Sequence, residues 1–266
     1  MHHLEYNATV RGTVLVSADS MVLSIEADQP RRGFDSGQYV LLGLYGSEPR
    51  SLNSLPDSRP LGTRTLIQRP YAIASHSAET SRFEFFITQV RSGELTPRLF
   101  ALEPGARLHL GEEIRGSFLL NETPDGSDII MIATGTGIAP YISFLRTHIA
   151  DRPESKMVVI QGASHEEDLG YSSELRFLEK RYPNFFYVPT LTDPDEQWQG
   201  RRVRVEDLLQ GELLQNEFNI TPDPEWTHFF ISGNPVMVRT VSGWLEAFGY
   251  SRHHPDRQGE YYIEEY

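Results

Sequence analysis

Hydrophobic and polar positions alternate through roughly the first 120 residues, the two-residue period of half-buried strands. Met21, Leu23, Ile25 and Ala27 share one face, as do Val40, Leu42 and Leu44, and then Phe83, Phe85 and Ile87. Turn chemistry separates these runs at Asp28-Gln29-Pro30, Arg31-Arg32-Gly33, Ser92-Gly93 and Glu103-Pro104-Gly105. Short alternating strands at this spacing predict an antiparallel barrel or sandwich. Residues 46–64, polar and carrying three prolines, break the rhythm and predict a long surface loop.

Past a polar linker at residues 121–127, the pattern changes to apolar strand, glycine turn and helix. Residues 129–133 form a continuous apolar run, and 138–149 carry helical spacing at Ile138, Ile142, Leu145 and Ile149. Alternation continues with a strand at 157–161, a helix at 172–181, a strand at 185–189, a short helix at 205–209, a strand at 228–232 and a helix at 235–248. That order predicts a parallel sheet covered by helices on both faces.

A length of 266 residues suits two separate cores, and 39% hydrophobic with 11% aromatic content belongs to a globular protein. There is no apolar run of about 18 residues, and the first residues lack the basic start and apolar middle of a signal peptide. The expectation is a soluble cytoplasmic protein with no membrane contact. With no cysteine, the chain holds no disulfide, thiolate zinc site, cysteine-ligated iron-sulfur cluster or thiol nucleophile. A net charge of -13 argues against an extended nucleic-acid surface, which needs clustered excess Lys and Arg.

Several short constellations could carry chemistry. Gly135-Thr136-Gly137 follows a buried strand and opens a helix, so its amides could converge on a pyrophosphate; a tight strand-to-helix turn is the other reading. Thr96-Pro97 resembles an N-cap with proline at the first helical position, predicting a short helix through Leu102 and a second phosphate cradle or an ordinary capped turn. Arg69 and Tyr71 stand two apart on a strand, hence on one face, where an anion and a planar ring could be held. Ser232-Gly233-Asn234-Pro235 is a second strand-to-helix turn. The aromatic end, Tyr261 to Tyr266, should pack on a planar cofactor or on another domain. His165-Glu166-Glu167-Asp168 lacks a metal-site pattern and reads as acids opening a helix or facing solvent, while His253-His254 reads as a solvated loop.

Taken in order, Arg69-Pro70-Tyr71-Ala72-Ile73-Ala74-Ser75, Glu94-Leu95-Thr96-Pro97-Arg98-Leu99, Ala133-Thr134-Gly135-Thr136-Gly137-Ile138-Ala139-Pro140, Gly233-Asn234-Pro235 and terminal Tyr266 resemble the plant-type ferredoxin-NADP(+) reductase superfamily. The likeness is closer to its bacterial flavodoxin/ferredoxin reductases. It implies a two-domain β plus α/β protein, with an N-terminal antiparallel Greek-key β-barrel for FAD over residues 1–122 and a C-terminal parallel sheet flanked by helices for NADP(H) over 127–266. The activity implied is hydride transfer between nicotinamide C4 and flavin N5, with electrons exchanged with ferredoxin or flavodoxin. Having no cysteine, the chain needs that acceptor as a separate protein, and Arg31, Arg32, Arg50, Arg59 and Arg64 are candidates either to dock it or to pair with nearby acids.

The resemblance also implies roles for single residues. Arg69 would pair with the FAD pyrophosphate, Tyr71 would stack on the flavin with Pro70 and Ala72 alongside, and Glu94, Leu95 and Thr96 would hold phosphates. Phe86, Ile87 and Gln89 would run beside the adenylate. Gly135, Thr136 and Gly137 would face the NADP pyrophosphate, with Gly233 and Asn234 near the nicotinamide. Tyr266 would cover the second flavin face, and Glu264 matches a Glu used in proton delivery. Ala72 replaces a usual Ser and cannot hydrogen-bond flavin N5; Ser232 replaces a frequent Cys. At the 2'-phosphate, His165, Thr192-Asp193 and Gly200-Arg201 stand where relatives carry more arginine, with Arg202 or Arg204 as substitutes. NADPH is the expected nucleotide, and NADH is the alternative if Asp193 reads the ribose. An NADH-dependent reductase component of an oxygenase and an electron-transfer subunit with weak hydride chemistry are the competing functions.

Overall fold

The period-two runs become paired strands. The computed structural model describes residues 6–59, 61–209 and 212–265, and the chain divides into two units, Met1–Gly116 and Ser117–Tyr266. The first unit contains β1 (Ala8–Ser17), β2 (Ser20–Ala27), β3 (Tyr39–Tyr45), β4 (Leu66–Ala72), β5 (Arg82–Thr88), a one-turn helix α1 (Thr96–Leu99) and β6 (Arg107–Leu110). Its strands pair antiparallel in the order β4-β3-β6-β1-β2-β5. Leu23 lies opposite Phe85, Ile25 opposite Phe83 and Met21 opposite Ile87, so the inward positions of two alternating strands meet as cross-strand pairs. Just past β4, the Ala74 amide donates to the Glu84 carbonyl at 2.8 Å and the Ser75 hydroxyl accepts the Glu84 amide at 2.8 Å. These bonds join the two end strands and roll the sheet into a barrel, which protects edges that would otherwise stay open.

Thr96 is not an N-cap. Leu95 occupies that place without a side-chain bond, the helix ends after four residues, and the Thr96 hydroxyl instead accepts the Val90 amide at 2.9 Å. A hydroxyl spent on the segment after β5 cannot also close the first turn.

In the second unit, β7 (Asp128–Thr134), α2 (Ala139–His148), β8 (Met157–Ala163), α3 (Ser172–Arg181), β9 (Phe185–Leu191), α4 (Val205–Leu209), α5 (Leu213–Phe218), β10 (Thr227–Gly233), α6 (Pro235–Ala247) and β11 (Tyr261–Glu265) follow in turn. The five strands are parallel in the order β11-β10-β7-β8-β9. Successive residues of a strand point to opposite faces. Phe229 and Ile231 therefore join Val238, Val241 and Leu245 of α6 in one layer, while Phe230 meets Phe118 and Phe144 edge-on at 5.2 and 5.1 Å and stacks on Tyr262 at 4.4 Å on the other. Burial on both sides is why these strands read as unbroken apolar runs. Among the described residues no helix is long and apolar enough to cross a membrane.

Three further details differ from the sequence reading. The aromatic end is largely a fifth strand, Tyr261–Glu265, paired in parallel with β10, and α5 was not expected. His253 is not solvated: its ring stacks on Tyr262 at 4.4 Å and its Nε2 lies 2.9 Å from a Glu122 carboxylate oxygen.

His228 on β10 is only 4% exposed, and neither ring nitrogen has a partner among the described residues. Burial lowers its pKa from 6.5. The unfolded chain then binds the proton more readily, so stability is whole above the ordinary histidine value and declines as pH falls below it, by at most about 1.4 kcal/mol per pH unit. Thermal melts at pH 5.5 and 7.5 are expected to show a larger acid loss for the wild type than for His228→Leu; parallel losses would assign the acid sensitivity elsewhere.

Candidate functional site

On the barrel, β4 sets Arg69 and Tyr71 on one face, opposite Leu42 and Val40 of β3. Tyr71 packs on the core and meets Phe85 edge-on with centroids 6.5 Å apart. Burial raises its pKa above the ordinary tyrosine value, partly offset by the Arg69 charge. The ring is thus neutral at any working pH. Arg69 remains half exposed, with Nη1 donating to the Gln68 carbonyl at 2.7 Å and Nη2 to Glu94 Oε2 at 3.2 Å. Ala72 is buried beside Tyr71, and the hydroxyl of nearby Ser75 is committed to the Glu84 amide.

Phe86 and Ile87 are buried on β5, and so is Gln89 just beyond it. Gln89 Nε2 donates to the Ser51 hydroxyl, but its Oε1 has no partner among the described residues. The amides of Glu94, Leu95 and Thr96 likewise carry no partner among the described residues. Orphan donors next to a half-exposed guanidinium make a donor set that fits a phosphate ester. The buried Arg98, which sequence reasoning passed over, holds this turn. Its Nη1 donates to the Glu94 carbonyl at 2.6 Å, its Nη2 to the Gly46 carbonyl at 2.7 Å, and both reach the Asp57 carboxylate, at 3.1 and 2.7 Å. Arg50 grips the same carboxylate. The 46–64 loop is therefore pinned by Asp57 between two arginines. The one sequence cue was Arg98 inside a quoted motif.

In the second unit the strand order reverses between β7 and β10, where open α/β sheets bind their ligands at the carboxyl ends. Gly135–Ile138 forms a 3-10 turn leading into α2, with Gly135 at φ +55°. A Cβ on Gly137 would overlap the Ser232 carbonyl, and one on Gly233, at φ +134°, would overlap Thr134. The two turns therefore touch backbone to backbone. Thr134 Oγ1 accepts the Asn234 amide at 2.9 Å, and Asn234 Oδ1 accepts the Val236 amide at 2.8 Å, capping α6. Gly135, where a Cβ would meet nothing within 4 Å, leaves room at the mouth of this turn, a cradle that fits a diphosphate. Ser232 is wholly buried and lies opposite Glu264 of β11. Tyr266 lies outside the described residues.

Farther along the same sheet edge, the Thr192 and Asp193 amides donate to the Ala163 and Ser164 carbonyls at 3.0 Å each. This brings His165 to Asp193, with Nδ1 2.8 Å from its carbonyl oxygen and Nε2 3.9 Å from its carboxylate. Arg201 faces elsewhere, with Nη2 donating to Glu217 Oε1 at 2.6 Å. Arg202 donates to the Asp195 and Trp198 carbonyls at 2.9 and 2.8 Å, bracing the loop before it. Of the arginines considered for docking, Arg50 pairs with Asp57, Arg59 with Glu94 and Arg31 with the Leu110 carbonyl.

The family described as the oxidoreductase NAD-binding domain matches residues 131–243. Ferredoxin–NADP reductase B of Sorangium cellulosum is 32% identical over 211 residues, 78% of this chain and 77% of that protein. The flavodoxin/ferredoxin–NADP reductase of Escherichia coli is 29% identical over 218 residues, 82% of this chain and 81% of that protein. In fold, the chain superposes on a Neisseria gonorrhoeae ferredoxin NADP+ reductase, solved with bound FAD and NADP, at a TM-score of 0.82 and 24% identity over 97% of both chains. A barrel carrying Arg69, Tyr71 and an amide turn, a parallel sheet with fused glycine turns, and this similarity along most of the length agree: the chain belongs to the ferredoxin–NADP reductase family.

Proposed function

We propose that the protein is an FAD-dependent oxidoreductase that exchanges electrons between NADP(H) and a separate ferredoxin or flavodoxin. Bound FAD would supply the redox chemistry, taking a hydride from nicotinamide C4 at flavin N5 and passing electrons singly to the acceptor. The observation that carries the reading is the set of unpartnered amides at Glu94, Leu95 and Thr96 beside the Arg69 guanidinium. Arg69 and these amides bind the FAD diphosphate. Tyr71 offers a neutral ring face to the flavin, with Pro70 and Ala72 along its edge. Phe86, Ile87 and Gln89 flank the adenylate, and Gln89 Oε1 is an acceptor for its amino group.

Gly135, Thr136 and Gly137 receive the diphosphate of the second nucleotide, and Gly233 and Asn234 lie toward its nicotinamide. Ser232 and Glu264 stand behind them at the ends of β10 and β11. The adenosine end extends toward His165 and Thr192, with Arg201 and Arg202 nearby. The test is anaerobic mixing of the purified yellow protein with NADPH or NADH. Bleaching of the flavin band within the dead time to seconds supports the reading; a colourless preparation that stays so when offered FAD ends it.

One observation bears on nucleotide choice. Arg201 is neutralised by Glu217, and the exposed Asp193 carboxylate stands beside His165, where a 2'-phosphate would be repelled. Asp193→Ser is expected to lower KM for NADPH roughly tenfold, about 1.4 kcal/mol, with KM for NADH unchanged. Equal changes for both nucleotides would place Asp193 away from the 2' position.

A further inference from the structure

The Glu94 carboxylate faces two cations at once. Oε2 lies 3.2 Å from Arg69 Nη2, and Oε1 lies 3.6 Å from Arg59 Nη2. Arg69 comes from β4, whereas Arg59 comes from the 46–64 loop. Both guanidiniums stay open to solvent, with side-chain exposures of 55% and 75%, so each keeps donors to spare.

The loop does not wander. Two residues before Arg59, Asp57 is gripped by Arg98, which is 2% exposed and also holds the loop's root at the Gly46 carbonyl and the main chain of Glu94 itself. The Ser51 amide donates to the Pro97 carbonyl at 2.9 Å, and the Leu55 amide to the Arg91 carbonyl at 2.9 Å. One buried guanidinium therefore ties together the strand end, the loop and the amide turn, and Arg59 is presented at the rim of that turn.

Charge arithmetic then matters. Arg69 and Glu94 cancel, which leaves a doubly charged diphosphate ester no net cation at the rim. Arg59 restores a net positive charge there. We propose that Arg59 is a second cation for the FAD diphosphate, and that Glu94 is an internal counter-anion holding Arg59 and Arg69 in position until the diphosphate replaces it. This rests on the FAD reading given above. Exchange is favoured because the arginine ends of both pairs are open to solvent and screened, whereas arginine meets a phosphate through charge-assisted, bidentate bonds.

The test is titration of flavin into the full-length apoprotein, followed by flavin fluorescence, over a range of salt. Arg59→Ala is expected to raise Kd for FAD about tenfold, a loss of about 1.4 kcal/mol, and to flatten its salt dependence while leaving riboflavin binding unchanged. Arg59→Lys should recover part of the loss. Glu94→Gln is expected to tighten FAD several-fold at low salt, with the gain gone at about 0.5 M, where screening is strong. A Kd for Arg59→Ala within twofold of the wild type, or an equal loss for riboflavin, would overturn the proposal. So would weaker FAD binding by Glu94→Gln at low salt. A wild-type protein that binds no FAD would be a different result, removing the cofactor reading and this proposal with it.

Discussion

Gly137→Ala is expected to unfold the second unit at markedly lower temperature and to abolish binding of the nicotinamide nucleotide. A Cβ there would overlap the Ser232 carbonyl and crowd the Gly233 amide. Both are backbone at the end of β10, so no side chain can rotate away and the strand itself must shift. Overpacking against a rigid neighbour costs about 3 kcal/mol, or about 6 to 12 °C in a unit of this size. Gly135→Ala separates strain from crowding: it sits at φ +55° with open space around it, so only the left-handed penalty of about 1 to 2 kcal/mol applies. Calorimetry that ranks Gly137→Ala below Gly135→Ala in damage would show that the two turns do not meet as described.

Arg98→Met should be nearly as harmful, through a different route. The side chain is 2% exposed and ties the Glu94 and Gly46 carbonyls to Asp57. Methionine fills the volume but leaves the carboxylate facing Arg50 alone and two carbonyls without their donor. Removing one member of a buried pair costs about 3 kcal/mol. On the proposed cofactor reading FAD retention should fall with it, because the turn carrying the Glu94, Leu95 and Thr96 amides loses its anchor. The hydrogen bond from Arg98 holds the Asp57 carboxyl below its ordinary pKa. That contribution is complete above the ordinary carboxylate range and is lost as pH falls through the depressed value. Acid titration of wild type and variant, read by FAD release, should therefore converge only at low pH; parallel curves throughout would remove Arg98 from the clasp.

How much of this was legible depended on the range of the interaction. Helix α3 at Ser172–Arg181 matches its expectation end to end, because helical signals are local in the chain. The glycine turns were legible for the same reason: close backbone approach demands glycine wherever it occurs. Strand β11 was not, since its partner β10 lies about thirty residues upstream and five residues of Tyr-Tyr-Ile-Glu-Glu carry no alternation. Helix α5, only six residues long, is too short to offer a periodic signal. Thr96 looked like a cap because threonine before proline so often is one, and only the Val90 amide in three dimensions shows where its hydroxyl goes. The Arg98–Asp57 pair spans 41 residues. Nothing in either neighbourhood announces the other, so the bracing of the loop by Arg98 and Arg50 showed only in three dimensions.

The division into two units has a practical side. All three tryptophans, Trp198, Trp226 and Trp244, belong to the second unit, two of them packed against its hydrophobic clusters. In the flavin-free protein, intrinsic indole emission therefore reports on the second unit and not on the first. A denaturant titration of the flavin-free protein followed at the indole band would thus give the second unit's midpoint from an unlabelled sample.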